Sequence, residues 1–195
     1  MRVTDDRYAG ERDQFDLAMR LIHHQARTHI ITQCTGFSPD RVRKLYGTYF
    51  KGRRGRRVSR HRGKSPTSVE VFVKNPRCQA QASLLAHVLI AWGLVRLREG
   101  LAAEAGRRDD RLAFGRAFCE AYEEFRRLEP DSGLSFEQAW NLFTALTQRR
   151  SLLLFDCEGC GTLYVQDALA LDRRRCPACR VVRCHRRGEI GTADA

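Results

Sequence analysis

The chain has 195 residues, enough for one sizeable domain with a small satellite or for two small domains, and its 43% apolar content allows a real core. Thirty-five Lys and Arg against 23 Asp and Glu leave a net charge of +12 and a pI near 9.9, which points to a polyanionic partner, nucleic acid before an anionic membrane surface. Met1–Arg12 is charged and lacks the apolar stretch of a secretory signal, and the longest apolar run, about Ala82–Val95, falls short of the roughly 20 residues of a membrane span. The expectation is a protein of the reducing cytoplasm with no membrane partner, whose eight cysteines act as metal ligands and core thiols.

In chain order, a helix from about Arg12 places Phe15, Met19, Ile22 and Ala26 on one face. The stretch Ala26–Tyr49 has the apolar skeleton of a helix-turn-helix. A first helix runs through Ile30 and Ile31, Gly36 makes the turn, and Phe37 precedes Ser38 as N-cap with Pro39 at the first helical position. Val42 and Leu45 then face back onto Ile31 and Phe37, while Asp40, Arg41, Arg43 and Lys44 face outward. In this reading Arg41, Arg43 and Lys44 approach the major groove of double-stranded DNA or its flanking phosphates. Arg53, Arg54, Arg56 and Arg57, within a basic segment 51–64, form a phosphate-binding arm. The same residues also suit an ordinary αα-hairpin with a solvated basic face.

A second long helix is expected from roughly Pro76 to Arg98, apolar almost all round through Leu84, Leu85, Val88, Leu89 and Trp92, and hence central to a core or covered by a partner. A third spans Asp110–Leu128 with Ala113, Phe114, Ala117, Phe118, Ala121, Tyr122 and Phe125 on one stripe. A fourth starts at Ser135, where Gln138 completes a capping box, and carries Phe136, Ala139, Trp140, Phe143 and Leu146. The short runs Leu152–Phe155 and Thr162–Val165 read as strands flanking a Cys pair. The fold class expected is mainly α: a helical body over 1–150, a four-Cys zinc-binding module with short strands and a basic tail over 151–187, and a flexible tail at 188–195.

Cys157, Cys160, Cys176 and Cys179 form C-x2-C-x15-C-x2-C. A two-residue spacer lets both thiolates of a pair reach one ion, and four soft donors in a tetrahedron suit a single structural Zn²⁺ with no open coordination position. Four thiolates on Zn²⁺ leave a formal −2, which Arg173, Arg174, Arg175 and Arg180 are placed to offset. Cys184-His185, just downstream, reads as part of the basic tail, with replacement of a ligand as the alternative. Cys34, Cys78 and Cys119 read as small core residues.

The charge is localised. Arg41–Lys64 holds 11 basic and no acidic residues, Asp172–Arg187 holds seven Arg against one Asp, and the remainder of the chain is net acidic. Evenly solubilising charge would not be distributed so. An enzyme is not expected. Gly63-Lys64-Ser65 resembles the end of a phosphate loop, but Val58 stands where its first Gly belongs. His23, His24 and His29 lie on or near helical faces and read as core or surface residues, leaving no catalytic candidate. The alternative class is an RNA-binding or ribosome-associated basic zinc module.

Taken together, Ala26-Arg27, Arg41-Val-Arg-Lys-Leu-Tyr46, Ala82-Ser83, Cys157-x2-Cys160-Gly161 and Cys176-x2-Cys179 with its basic tail resemble the FlhC family of bacterial flagellar master transcriptional activators. The likeness runs over most of the chain, and its specific parts are the cysteine cluster and the Lys44-Leu45-Tyr46 region. It implies a mainly helical fold whose four cysteines ligate zinc. It further implies a hetero-oligomer with a small helical FlhD-type subunit that binds promoters of flagellar (class II) operons and recruits RNA polymerase. In place of the family's proline-containing aromatic stretch after the Lys-Leu-Tyr region stand the arginine run Lys51–Lys64 and Ser65–Phe72, as in a divergent paralogue.

Overall fold

A computed structural model describes residues 2–50, 58, 63, 68–98, 102–106, 109–172 and 174–181, with side chains from Tyr8 onward. It is mainly helical, with two small antiparallel sheets and the four cysteines gathered near the end of the chain.

Helix α1, Arg2–His23, begins ten residues before the periodicity announces it. Its charged first turns have no apolar stripe to read. The buried face is Leu17, Ala18, Leu21 and Ile22, while Phe15 and Met19 only lean on the core and Ala26 is buried just past the helix end. Helix α2, Thr28–Thr35, ends at Gly36, which takes the left-handed φ of 75° and donates its N–H to the Thr32 carbonyl at 2.9 Å. Helix α3, Pro39–Leu45, starts on Ser38, whose hydroxyl accepts from the Arg41 N–H at 3.2 Å. It continues as a π-helical turn, Tyr46–Phe50.

A short helix α4, Glu70–Val73, leads into α5, Pro76–Ala91, capped by the Asn75 side chain. Here the structure corrects the expected helix to Arg98. The chain leaves the helix at Ala91, Gly93 adopts φ 68°, and Val95–Leu97 instead forms β1, paired antiparallel with β2, Ala103–Ala105. The left-handed glycine ends the i→i−4 ladder, and β-branched Val95 is content in an extended chain. An apolar run alone does not distinguish the two outcomes.

Helix α6, Arg111–Leu128, follows an Asp110 cap that accepts from Leu112 and Ala113 N–H. Helix α7, Phe136–Thr144, carries the expected capping box and ends in a second π-helical turn, Ala145–Arg149. Strands β3, Leu152–Asp156, and β4, Leu163–Asp167, pair antiparallel with Leu154 opposite Val165.

The core is aromatic where α6 meets α7. Phe118 stands 4.9 Å from Trp140 and 5.4 Å from Phe136, centroid to centroid. Gly115 lets α1 and α2 close on α6, since a Cβ there would meet Leu17 Cδ2 and Cys34 Cβ at 2.8 Å. The β3–β4 hairpin belongs to this same core through Leu152, Leu154 and Val165. Two polar side chains of α5 fix it: the Gln79 amide donates to the Val165 carbonyl at 2.8 Å, and the Ser83 hydroxyl accepts from the Val165 N–H at 3.0 Å. The hairpin thus holds the residue after Asp156, which is Cys157, at a fixed place against the helical body.

Candidate metal centre

Immediately after β3 the chain turns on Cys157-Glu-Gly-Cys160. The Cys157 N–H donates to the Thr162 carbonyl at 3.1 Å and the Gly161 N–H to the Cys157 carbonyl at 2.8 Å, a tight loop that aims both sulfurs to one side. The second pair opens a helical turn over residues 177–181. Pro177 stands first in it, where a missing N–H is harmless, and the Arg180 N–H returns to the Cys176 carbonyl at 3.1 Å. The Glu158 N–H donates to the Arg174 carbonyl at 2.8 Å and staples the two loops together.

This geometry brings all four Sγ atoms within 4.8 Å of one another, with Cys160 Sγ 3.7 Å from Cys176 Sγ. Backbone amides point at the sulfurs: Cys176 N–H and Gly159 N–H donate to Cys157 Sγ at 3.2 and 3.4 Å, and Cys179 N–H to Cys176 Sγ at 3.5 Å. Burial opposes ionisation of Cys157, but the N–H groups of Cys176, Gly159 and Cys160 outweigh it and bring this thiol down to about 6. The Thr162 hydroxyl, then its N–H, hold Cys160 below the ordinary thiol value. Burial raises Cys176, and hydrogen bonds among the sulfurs, Cys160 first, push Cys179 up to about 12. The N–H groups aimed at Cys157 Sγ favour the thiolate form that a bound cation requires. The four sulfurs form a donor set compatible with one metal ion.

Around the sulfurs the packing is thin. Cys157, Tyr164 and Cys176 form a small buried cluster of their own, with Phe155 and Cys179 leaning on it, while Cys160 is exposed. Of the arginines expected to offset the site, Arg174 is exposed, Arg175 is half-buried and Arg180 reaches back to the Gln79 side chain of α5. Arg173, Cys184 and His185 lie outside the described residues. Cys34 and Cys119 are buried as expected, and burial pushes the Cys119 thiol up to about 12. Cys78 differs. In the first turn of α5 it is only half-buried, because that turn emerges from the core.

The second candidate site lies on α3. Val42 and Leu45 are buried in the common core with Ile31 and Phe37, whereas Arg41, Arg43 and Lys44 are exposed. The Arg41 guanidinium lies 4.1 Å over the Phe37 ring and Arg43 pairs with Asp40 at 3.1 Å, so both side chains are oriented outward. Arg53, Arg54, Arg56 and Arg57 lie outside the described residues. Two points of that segment are fixed to the body: the Tyr46 hydroxyl donates to the Val58 carbonyl at 3.4 Å, and Arg27 donates to the Gly63 carbonyl at 2.6 Å. Arg27 also pairs with buried Glu137 of α7.

Sequence reasoning missed Thr162, Tyr164 and the Gln79–Arg180 contact. The first follows a knuckle glycine with a hydroxyl residue and was findable. The other two depend on which strand meets α5, and no local pattern encodes that. No protein-family model matches the chain, and no curated protein is significantly similar to it. Among the described residues, no helix is long and apolar enough to cross a membrane.

Proposed function

We propose that this chain is a zinc-containing, DNA-binding transcriptional activator, acting in the cytoplasm with an FlhD-type helical subunit to switch on flagellar operons by binding promoters and recruiting RNA polymerase. The role is positional, with no catalytic step. The observation that carries the DNA reading is the division of α3 into a buried face, Val42 and Leu45, and an exposed basic face, Arg41, Arg43 and Lys44. That division, the left-handed Gly36 and the Ser38 cap support a helix-turn-helix over 26–49. The basic segment 51–64 then follows directly, adding phosphate contacts whose affinity falls steeply with salt.

Zinc is the ion we assign to the cysteine cluster. A tetrahedron with bonds of about 2.3 Å has edges of about 3.8 Å, and the Cys160–Cys176 separation is 3.7 Å. Four thiolates with inward amides suit a structural role: the ion stiffens the C-terminal segment and presents the basic residues after it.

The test is fluorescence anisotropy of the chain, co-expressed with its host's FlhD-type partner, on a flagellar promoter fragment and a scrambled duplex across a salt series. The expected result is a co-purifying complex that prefers the promoter near physiological salt. Equal, salt-labile binding to both duplexes without a complex, or a preference for RNA at matched salt, overturns the reading.

A further inference from the structure

Gln79 is a neutral polar side chain near the start of α5, 1% exposed, and both its amide nitrogen and its amide oxygen are engaged. Its Nε2 donates to the Val165 carbonyl of β4 at 2.8 Å, and its Oε1 accepts from the Arg180 guanidinium. One turn on, Ser83 donates to the Gln79 carbonyl at 2.6 Å while accepting from the Val165 N–H. Ser83 and Gln79 thus share the clamp on β4, but only Gln79 extends it to Arg180, the residue directly after Cys179.

Arg180 is what calls for explanation. Its Nε is buried with no acceptor, and no carboxylate lies within ion-pair distance of it among the described residues. A guanidinium turned inward without an anion is unfavourable. The Arg180 backbone N–H reaches the Cys176 carbonyl at 3.1 Å, and a divalent ion bound by the four thiolates would carry a formal −2 beside it. Arg180 already shares its surroundings with that cluster, since Arg180, Cys157, Asp172 and Cys176 all act electrostatically on the buried Tyr164 hydroxyl, itself without a hydrogen-bond partner; Asp172 is exposed and lies beyond ion-pair distance of Arg180.

We propose that Gln79 is a positioning residue of the metal centre, fixing Arg180 as the counter-charge to the loaded cysteines. This rests on the reading of the four cysteines as a metal site. Outer residues that orient or neutralise a metal site typically change affinity by about 10- to 100-fold when removed, and that is the effect expected here.

The experiment uses the full chain and Zn²⁺, with a chromogenic chelator in competition, and follows dissociation constant and melting temperature separately. Q79L and R180M each weaken zinc by about 10- to 100-fold, and the double variant is no weaker than the worse single one. Q79E keeps the acceptor for Arg180 but sets a carboxylate oxygen against the Val165 carbonyl. It lowers the melting temperature and holds zinc within a few-fold of wild type. S83A loosens the same clamp without touching Arg180, so it lowers the melting temperature equally with and without zinc and leaves affinity unchanged. Unchanged affinity in Q79L, or equal loss in S83A and Q79L, overturns the proposal and makes Gln79 a purely structural residue. A wild-type chain that takes up no zinc overturns the metal reading itself, a result distinct from either.

Discussion

The α6–α7 core and the cysteine cluster are held by different physics although they share one hairpin. Around Phe118, which is fully buried, Phe114, Phe136, Trp140 and Phe143 pack within 6.2 Å centroid to centroid, so stability comes from apolar area spread over many contacts. Around Cys157 the buried partners are Tyr164 and Cys176, and the remaining neighbours are only partly covered. Little apolar area is buried there, and what converges instead is four sulfurs. The core tolerates the loss of any one contact in part. On the proposed metal reading the cluster fails together, because four ligands would serve one ion.

The largest expected effect separates the two regions. Chelation, or Cys176→Ser, removes a binding energy that in small structural zinc sites is on the order of 10 kcal/mol. Hydrogen exchange should then lose protection over 157–162 and 174–181 while α6, α7 and the β3–β4 hairpin keep theirs; uniform loss throughout would show that the two regions are one cooperative unit.

Next comes Phe118→Ala, expected to cost about 3–5 kcal/mol through lost burial and the cavity left behind. Denaturant midpoints with zinc present should drop accordingly, and metal stoichiometry should stay the same. Loss of metal from this variant would erase the distinction.

Gly115→Ala is smaller and tests the close approach of α1 and α2 to α6. Helix propensity favours alanine by up to about 1 kcal/mol, but contacts at 2.8 Å with Leu17 and Cys34 are overpacking worth about 1–3 kcal/mol, so the net sign is destabilising. A thermal melt at or above wild type would mean that the helices separate freely.

The smallest effect is electrostatic. Glu123 accepts from Arg20 at 2.9 and 2.6 Å and contacts His24 at 2.7 Å, and the Arg20 hydrogen bonds lead in holding its carboxyl below the ordinary 4.5. A lowered carboxyl pKa adds stability at neutral pH and loses it as pH falls through 4.5 toward the folded value. Glu123→Gln should therefore flatten the fall of melting temperature over that acid range, by no more than about 1 kcal/mol for so exposed a pair. An unchanged acid profile would assign that fall to other carboxylates.

Legibility followed the range of the interaction. Asp110, Ser135 with Gln138, Ser38 with Pro39, and the two Cys-x2-Cys pairs act within three or four residues, so the sequence alone located the α6 and α7 starts, the turn before α3 and the four sulfurs. It erred at 92–98, where an apolar run suits helix and strand alike and the left-handed Gly93 and pairing with 103–105 decide the outcome. It also missed the first turns of α1, whose charged residues carry no stripe. What only the tertiary structure decided is that β4 lies on α5, which places Gln79, distant in sequence, between Val165 and Arg180. Caps and knuckles are local geometry with their own residue signatures, whereas the partner of a buried amide is set by which faces of the chain exclude water together.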